Sequence, residues 1–179
     1  MHAKVTDIII ILVSLSLIGS STCQAQGCGW KDTMDPVAAP NDPGRGLSNW
    51  KIHYDHVMIQ SGLNNADKLV ANRLQALSFC LPNDNYARLY ADLSVLIANV
   101  GDKEAGWQNA MDTSAPSQDP GRGLLDWQIH YKHCLGPGRN TVYELVGVRL
   151  STLKSAISKE AYAKLYADAS VLIAKYGRA

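Results

Sequence analysis

The chain has 179 residues, of which 46% are hydrophobic and 18% are charged, and its formal net charge is +1. This composition is typical of a globular protein with fewer charges than usual. Because the charges nearly balance, the protein lacks the strong field that would attract a nucleic acid or an oppositely charged membrane surface.

The first 25 residues have the pattern of a secretory signal peptide. Lys4 supplies a positive charge, residues 8–18 form a short apolar run, and Ala25 ends a stretch of small residues where cleavage is expected. The run is shorter than the roughly 20 apolar residues of a membrane-spanning helix, and no later segment is apolar enough to span. We therefore expect residues 1–25 to be removed and the protein to be secreted or periplasmic, without a membrane span.

The remainder of the chain contains one pattern twice. The segment Asp-Pro-Gly-Arg-Gly-Leu, followed by a Trp and by Ile-His-Tyr-x-His, begins at Asp42 and begins again at Asp119, 77 residues later. After the histidines one residue is lost, so that Arg73 corresponds to Arg149 at an offset of 76. A match of this length indicates that one supersecondary unit has been duplicated. We assign residues 26–101 to repeat unit 1 and residues 102–179 to repeat unit 2.

Each unit is predicted to contain three helices, which we call A, B and C. In unit 1, helix A begins near Leu47, helix B covers about residues 66–80, and helix C covers about residues 84–100 and ends at Gly101. No segment shows the alternation of a strand. A unit of about 70 residues is only marginally stable alone. The sequence therefore predicts an all-α protein in which the duplicated three-helix unit packs as one six-helix bundle with pseudo-two-fold symmetry. Two separate domains on a linker are the alternative.

All four histidines after the signal peptide lie in the two His-Tyr-x-His motifs: His53, His56, His130 and His133. Residues three apart on a helix are neighbours, so each pair could bind one metal ion. If the two A helices met at the symmetry axis, the four imidazoles would form one tetrahedral zinc or copper site. The alternative is that they are structural residues beside the tryptophans of the A helices.

Cys134 lies four residues after His130, on the same predicted helical face. A cysteine and a histidine in this arrangement can act as nucleophile and base, or as metal ligands. The corresponding residue of unit 1 is Val57, which favours an apolar core position that accepts cysteine.

Two arginines, Arg73 and Arg149, fall inside the apolar faces of the two B helices. An unpaired buried charge is very costly, so we expect structural ion pairs within each unit, Arg73 with Asp92 and Arg149 with Asp168. The alternative is an anion site formed with the backbone N–H groups of the Pro-Gly-Arg-Gly turns.

Those turns contain the further anion candidates Arg45 and Arg122, for which the alternative is a simple solvent-facing position in the loop. Because neither turn contains the lysine or follows the strand of a phosphate-binding loop, the glycine pattern does not itself predict a nucleotide site.

The cysteines can be assigned by comparing the two units. Cys28 and Cys80 correspond to Ala105 and Ala156, whereas Cys134 corresponds to Val57. Disulfide partners tend to be gained or lost together, so we predict a Cys28–Cys80 disulfide and a buried free thiol at Cys134. An exported protein lies in a compartment that permits the disulfide.

The sequence contains no nucleophile–base–acid arrangement at an informative spacing and no evident pair of catalytic carboxylates. We therefore expect a non-enzymatic exported protein that binds another protein, as an inhibitor, an immunity-type protein or an envelope-assembly factor. The first alternative is a metal- or haem-binding protein that uses the four histidines. The second is a small hydrolase that uses His130 with Cys134 or with an aspartate.

Overall fold

The computed structural model describes residues 28, 30, 46–107 and 124–178, and its secondary structure in these ranges is entirely helical, as predicted. The α-helices in these ranges are α1 (Trp50–Met58), α2 (Gln60–Leu63), α3 (Ala66–Cys80), α4 (Asn83–Ala105), α5 (Trp127–Leu135), α6 (Val142–Ala156) and α7 (Lys159–Gly177). A 3-10 turn, Pro137–Asn140, connects α5 to α6. The predicted signal peptide 1–25 lies outside the described residues, as do Arg45 and Arg122.

The starts of three helices are fixed by side chains that accept hydrogen bonds from free backbone N–H groups. Asn49 accepts from Ile52 N at the start of α1, and Asp126 accepts from two backbone N–H groups at the start of α5. Ser158 caps α7 in the same way. Such caps satisfy the unpaired N–H groups of the first turn. Helix A of unit 1 therefore begins at Trp50, three residues after the predicted start near Leu47.

The end of helix C is also later than predicted. Helix α4 continues to Ala105, and Gly106 ends it with a left-handed φ of 66°. Gly101 therefore lies inside the helix, and a Cβ there would be 2.5 Å from the ring of Trp107. Gly177 has the same relation to Trp30, at 2.4 Å. The repeated glycine thus makes room for a repeated tryptophan, and the predicted boundary between the units falls within α4.

The two units pack mainly on each other. The two A helices are α1 and α5, and each packs on the C helix of the other unit. Helix α1 of unit 1 packs along α7 of unit 2, and α5 of unit 2 packs along α4 of unit 1. The two B helices, α3 and α6, also contact each other, as do the two C helices, α4 and α7. Buried apolar residues of both units form a single cluster. In the described ranges the units therefore share one core and are not separate domains on a linker.

Candidate functional site

The first histidine of each motif holds a helix to the turn before it. His53 and His130 are fully buried, and their Nε2 atoms lie 3.0 and 2.8 Å from the backbone carbonyl oxygens of Leu47 and Leu124. Because a carbonyl oxygen only accepts hydrogen bonds, each Nε2 must carry the proton and donate. Neither Nε2 can then act as a metal ligand while this bond is present.

The second histidines also serve local packing. His56 Nε2 lies 3.0 Å from Asn65 Oδ1. The ring of His133 lies so close to Gly138 that a Cβ at that position would be 2.2 Å from His133 Nε2. These contacts fix the short connection between helices A and B in each unit.

The structure does not bring the four histidines of the predicted zinc or copper site together. Histidines 53 and 56 pack against Tyr166 of α7, whereas histidines 130 and 133 pack against Tyr90 of α4. Within the described part of the chain, no three His, Cys, Asp or Glu side chains come together as metal ligands would. Such a site requires the two A helices to meet, but each of them packs on the C helix of the other unit.

The two repeated arginines are buried, as their helical phase predicts. Arg73 Nη1 lies 3.3 Å from Tyr166 Oη and 3.2 Å from Ser170 Oγ. Arg149 Nη1 lies at the same distances from the hydroxyls of Tyr90 and Ser94. Each arginine of one unit therefore donates to the C helix of the other unit.

Asp92 and Asp168, the predicted ion-pair partners of Arg73 and Arg149, bond to tryptophans in the structure. Asp92 accepts instead from Trp127 Nε1, at 2.8 Å, and Asp168 accepts from Trp50 Nε1, at 2.7 Å. The reason is the position of these aspartates around helix C. They lie at the edge that faces helix A of the other unit, and this edge does not face the helix B that carries the arginine.

These tryptophan–aspartate bonds explain much of the repeated motif. Each tryptophan stacks on the tyrosine four residues later, with ring centroids 5.0 Å apart for Trp50–Tyr54 and 4.9 Å apart for Trp127–Tyr131. The stack and the indole hydrogen bond hold helix A of one unit on helix C of the other. The sequence contained a signal for this contact, because Trp and Asp recur at equivalent positions in both units.

The cysteines pair as predicted. Cys28 and Cys80 form a disulfide with an S–S distance of 2.01 Å and a Cα–Cα distance of 5.5 Å. Cys134 is a buried free thiol, and burial raises its pKa to about 11 despite the opposing charge of Arg139. A buried, protonated thiol is the opposite of an activated nucleophile, so this geometry does not favour the His130–Cys134 hydrolase alternative.

The most exposed large apolar side chain in the described ranges is Phe79, with 84% of its surface accessible. It borders a groove of about 560 Å³. We call this surface the Phe79 face; its residues are Cys28, Trp30, Asn72, Gln75, Ala76, Phe79 and Cys80.

The Phe79 face has no equivalent in unit 2. Phe79 is the only phenylalanine of the chain, and its counterpart is Ser155. The counterparts of the two cysteines are alanines. The duplication therefore shows which surface features are particular to unit 1, a comparison that the helical periodicity alone does not provide.

Comparison with protein-family models, with curated proteins and with solved structures finds no match to this chain. None of the helices in the described ranges has the length and apolar character needed to cross a membrane. Functional inference therefore depends on the geometry of the chain itself.

Proposed function

We propose that this protein is an exported, non-enzymatic module that binds another protein through the Phe79 face. Its two repeat units, related by an approximate two-fold axis, form the scaffold, and unit 1 provides the binding surface. The observation that carries this proposal is the exposure of Phe79 beside a groove.

Exposed aromatic side chains are effective anchors in protein interfaces. Burying a phenylalanine side chain contributes about 1.5–3 kcal/mol, and interface energy is concentrated in a few such residues. The groove beside Phe79 would receive a side chain of the partner, while exposed Asn72 and half-buried Gln75 supply amide groups that form hydrogen bonds.

The surroundings of Phe79 are held in place before any partner binds. The disulfide of the adjacent Cys80 ties the end of α3 to Cys28. Trp30, two residues further along, is 95% buried against the end of α7. A surface that is already ordered loses less conformational entropy on binding, which supports its use as an interface.

The disulfide also supports export. Structural disulfides persist in oxidising compartments and are rare in the cytosol. This agrees with the signal-peptide pattern of residues 1–25.

The test is to capture partners by cross-linking in an extract of the source cells' exported fraction. The protein and its Phe79→Ser variant are compared, since serine is the residue that unit 2 has at this position. We expect the variant to lose a partner that the unchanged protein captures, while keeping its melting temperature within a few degrees because the side chain is exposed.

The matched control is Ile59→Ser, which removes another exposed apolar side chain, 55% accessible, outside the Phe79 face. This variant should retain the partner. Equal capture by the unchanged protein and by Phe79→Ser would refute the proposal.

A further inference from the structure

The tryptophan–aspartate contact occurs twice, but its surroundings differ between the two copies. We call the surroundings of Asp92, Trp127 and Tyr176 the Asp92 corner, and the equivalent surroundings of Asp168, Trp50 and Val100 the Asp168 corner. In both corners the indole N–H donates to Oδ1 of the aspartate. The residue that corresponds to Tyr176 is Val100. This difference removes a hydroxyl donor and an aromatic ring from the Asp168 corner.

The Asp92 corner is filled by a phenol. Tyr176 Oη donates to Asp92 Oδ2 at 2.6 Å, so both carboxylate oxygens of Asp92 have a donor. Burial and this hydrogen bond raise the pKa of Tyr176, so the hydroxyl stays protonated and continues to donate. Asp92 is half-buried as a result.

The Asp168 corner is open. Valine is shorter than tyrosine and has no hydroxyl, and a pocket of about 420 Å³ lies here between α4 and α7. Its walls include Val100 and Leu165, and Asp168 is exposed to it. Among the described residues, only Trp50 donates to the Asp168 side chain, at Oδ1, so Oδ2 is free to accept.

We propose that the Asp168 corner binds a small phenolic ligand. The Asp92 corner supports this proposal, because there the equivalent aspartate accepts a second hydrogen bond from the phenol group of Tyr176. The ligand's ring would pack against Val100 and Leu165, and its hydroxyl would donate to Asp168 Oδ2. The pocket volume is within the roughly 300–1,000 Å³ of small-molecule sites.

The charged side chains around the pocket indicate which charge a phenolic ligand should carry. Lys164 lies 3.1 Å from Glu160, and Lys103 lies 3.8 Å from Glu104, so each lysine is offset by an adjacent acid. The carboxylate of Asp168 remains as the excess charge. A neutral or cationic phenol is therefore favoured over one that carries a carboxylate.

The test is a calorimetric titration of the whole protein with 4-methylphenol, the side-chain analogue of tyrosine. We expect one site in the unchanged protein. Val100→Tyr should abolish it, because this substitution reproduces the filled corner. Tyr176→Val should give two sites, because it opens the Asp92 corner.

The hydrogen bond is tested with 4-methylanisole, which has the same ring but no donor proton. It should bind at least tenfold more weakly than 4-methylphenol to the unchanged protein, a comparison that needs no variant. Absence of saturable 4-methylphenol binding, or equal affinity for both compounds, would overturn the proposal. Unchanged binding by a folded Val100→Tyr variant would do so as well. The Asp168 corner shares no residue with the Phe79 face, so either proposal can fail without the other.

Discussion

Removal of the Cys28–Cys80 disulfide should lower the free energy of unfolding by about 4 kcal/mol. The two cysteines are 52 residues apart in sequence, and the chain-entropy model gives about 4 kcal/mol for a closed loop of this length. The appropriate change is Cys28→Ala with Cys80→Ala, since alanine is the residue that unit 2 has at both positions. The effect should arise mainly in the unfolded chain, which becomes free to expand.

The measurement is equilibrium unfolding in urea, followed by far-ultraviolet circular dichroism. Both proteins should carry Cys134→Val, the residue of unit 1, so that no free thiol exchanges with the disulfide. The dependence of the unfolding free energy on urea should become steeper in the variant, because its unfolded state exposes more surface. A loss below about 1 kcal/mol with an unchanged slope would refute the reasoning.

Two further predictions use the duplication as an internal control. Tyr166→Phe and Tyr90→Phe each remove an acceptor from a buried arginine and should each cost about 1.5–3 kcal/mol in urea unfolding; clearly unequal losses would show that the two arginine sites are not equivalent. Gly177→Ala and Gly101→Ala force a Cβ against a tryptophan ring and should each cost about 1–3 kcal/mol. A red shift of tryptophan fluorescence should accompany these losses, and wild-type stability in both variants would contradict the close contacts.

Several local features could be predicted from sequence because they depend on short-range periodicity. Helix α3 has the predicted bounds, residues 66–80, since its apolar positions recur with the helical period over four turns. The burial of Arg73 follows from the same phase. The disulfide could be predicted from the comparison of the two units alone, because both of its cysteines correspond to alanines.

The partners across the fold could not be predicted in the same way. Periodicity tells which face of a helix is buried but not what covers it. It therefore does not reveal the tyrosines that pack on the histidines or the hydroxyls that accept from the arginines. Trp50 bonds to Asp168, which is 118 residues away. Only the packing of α1 on α7 brings them together, and that packing depends on the whole core.

The exchange of contacts between the units separates structural residues from candidates for function. The tryptophan–aspartate bonds between helix A of one unit and helix C of the other occur in both directions, and so do the bonds from Arg73 and Arg149 to a tyrosine and a serine of the other unit. Such contacts are sufficiently explained by stability, because a unit without its partner would leave a buried arginine and an aspartate without these donors and acceptors. Positions where the two units differ are not explained in this way. Two such positions are Phe79, which corresponds to Ser155, and Val100, which corresponds to Tyr176. These differences keep the fold but change which groups are exposed, so a binding role should be tested first at these positions.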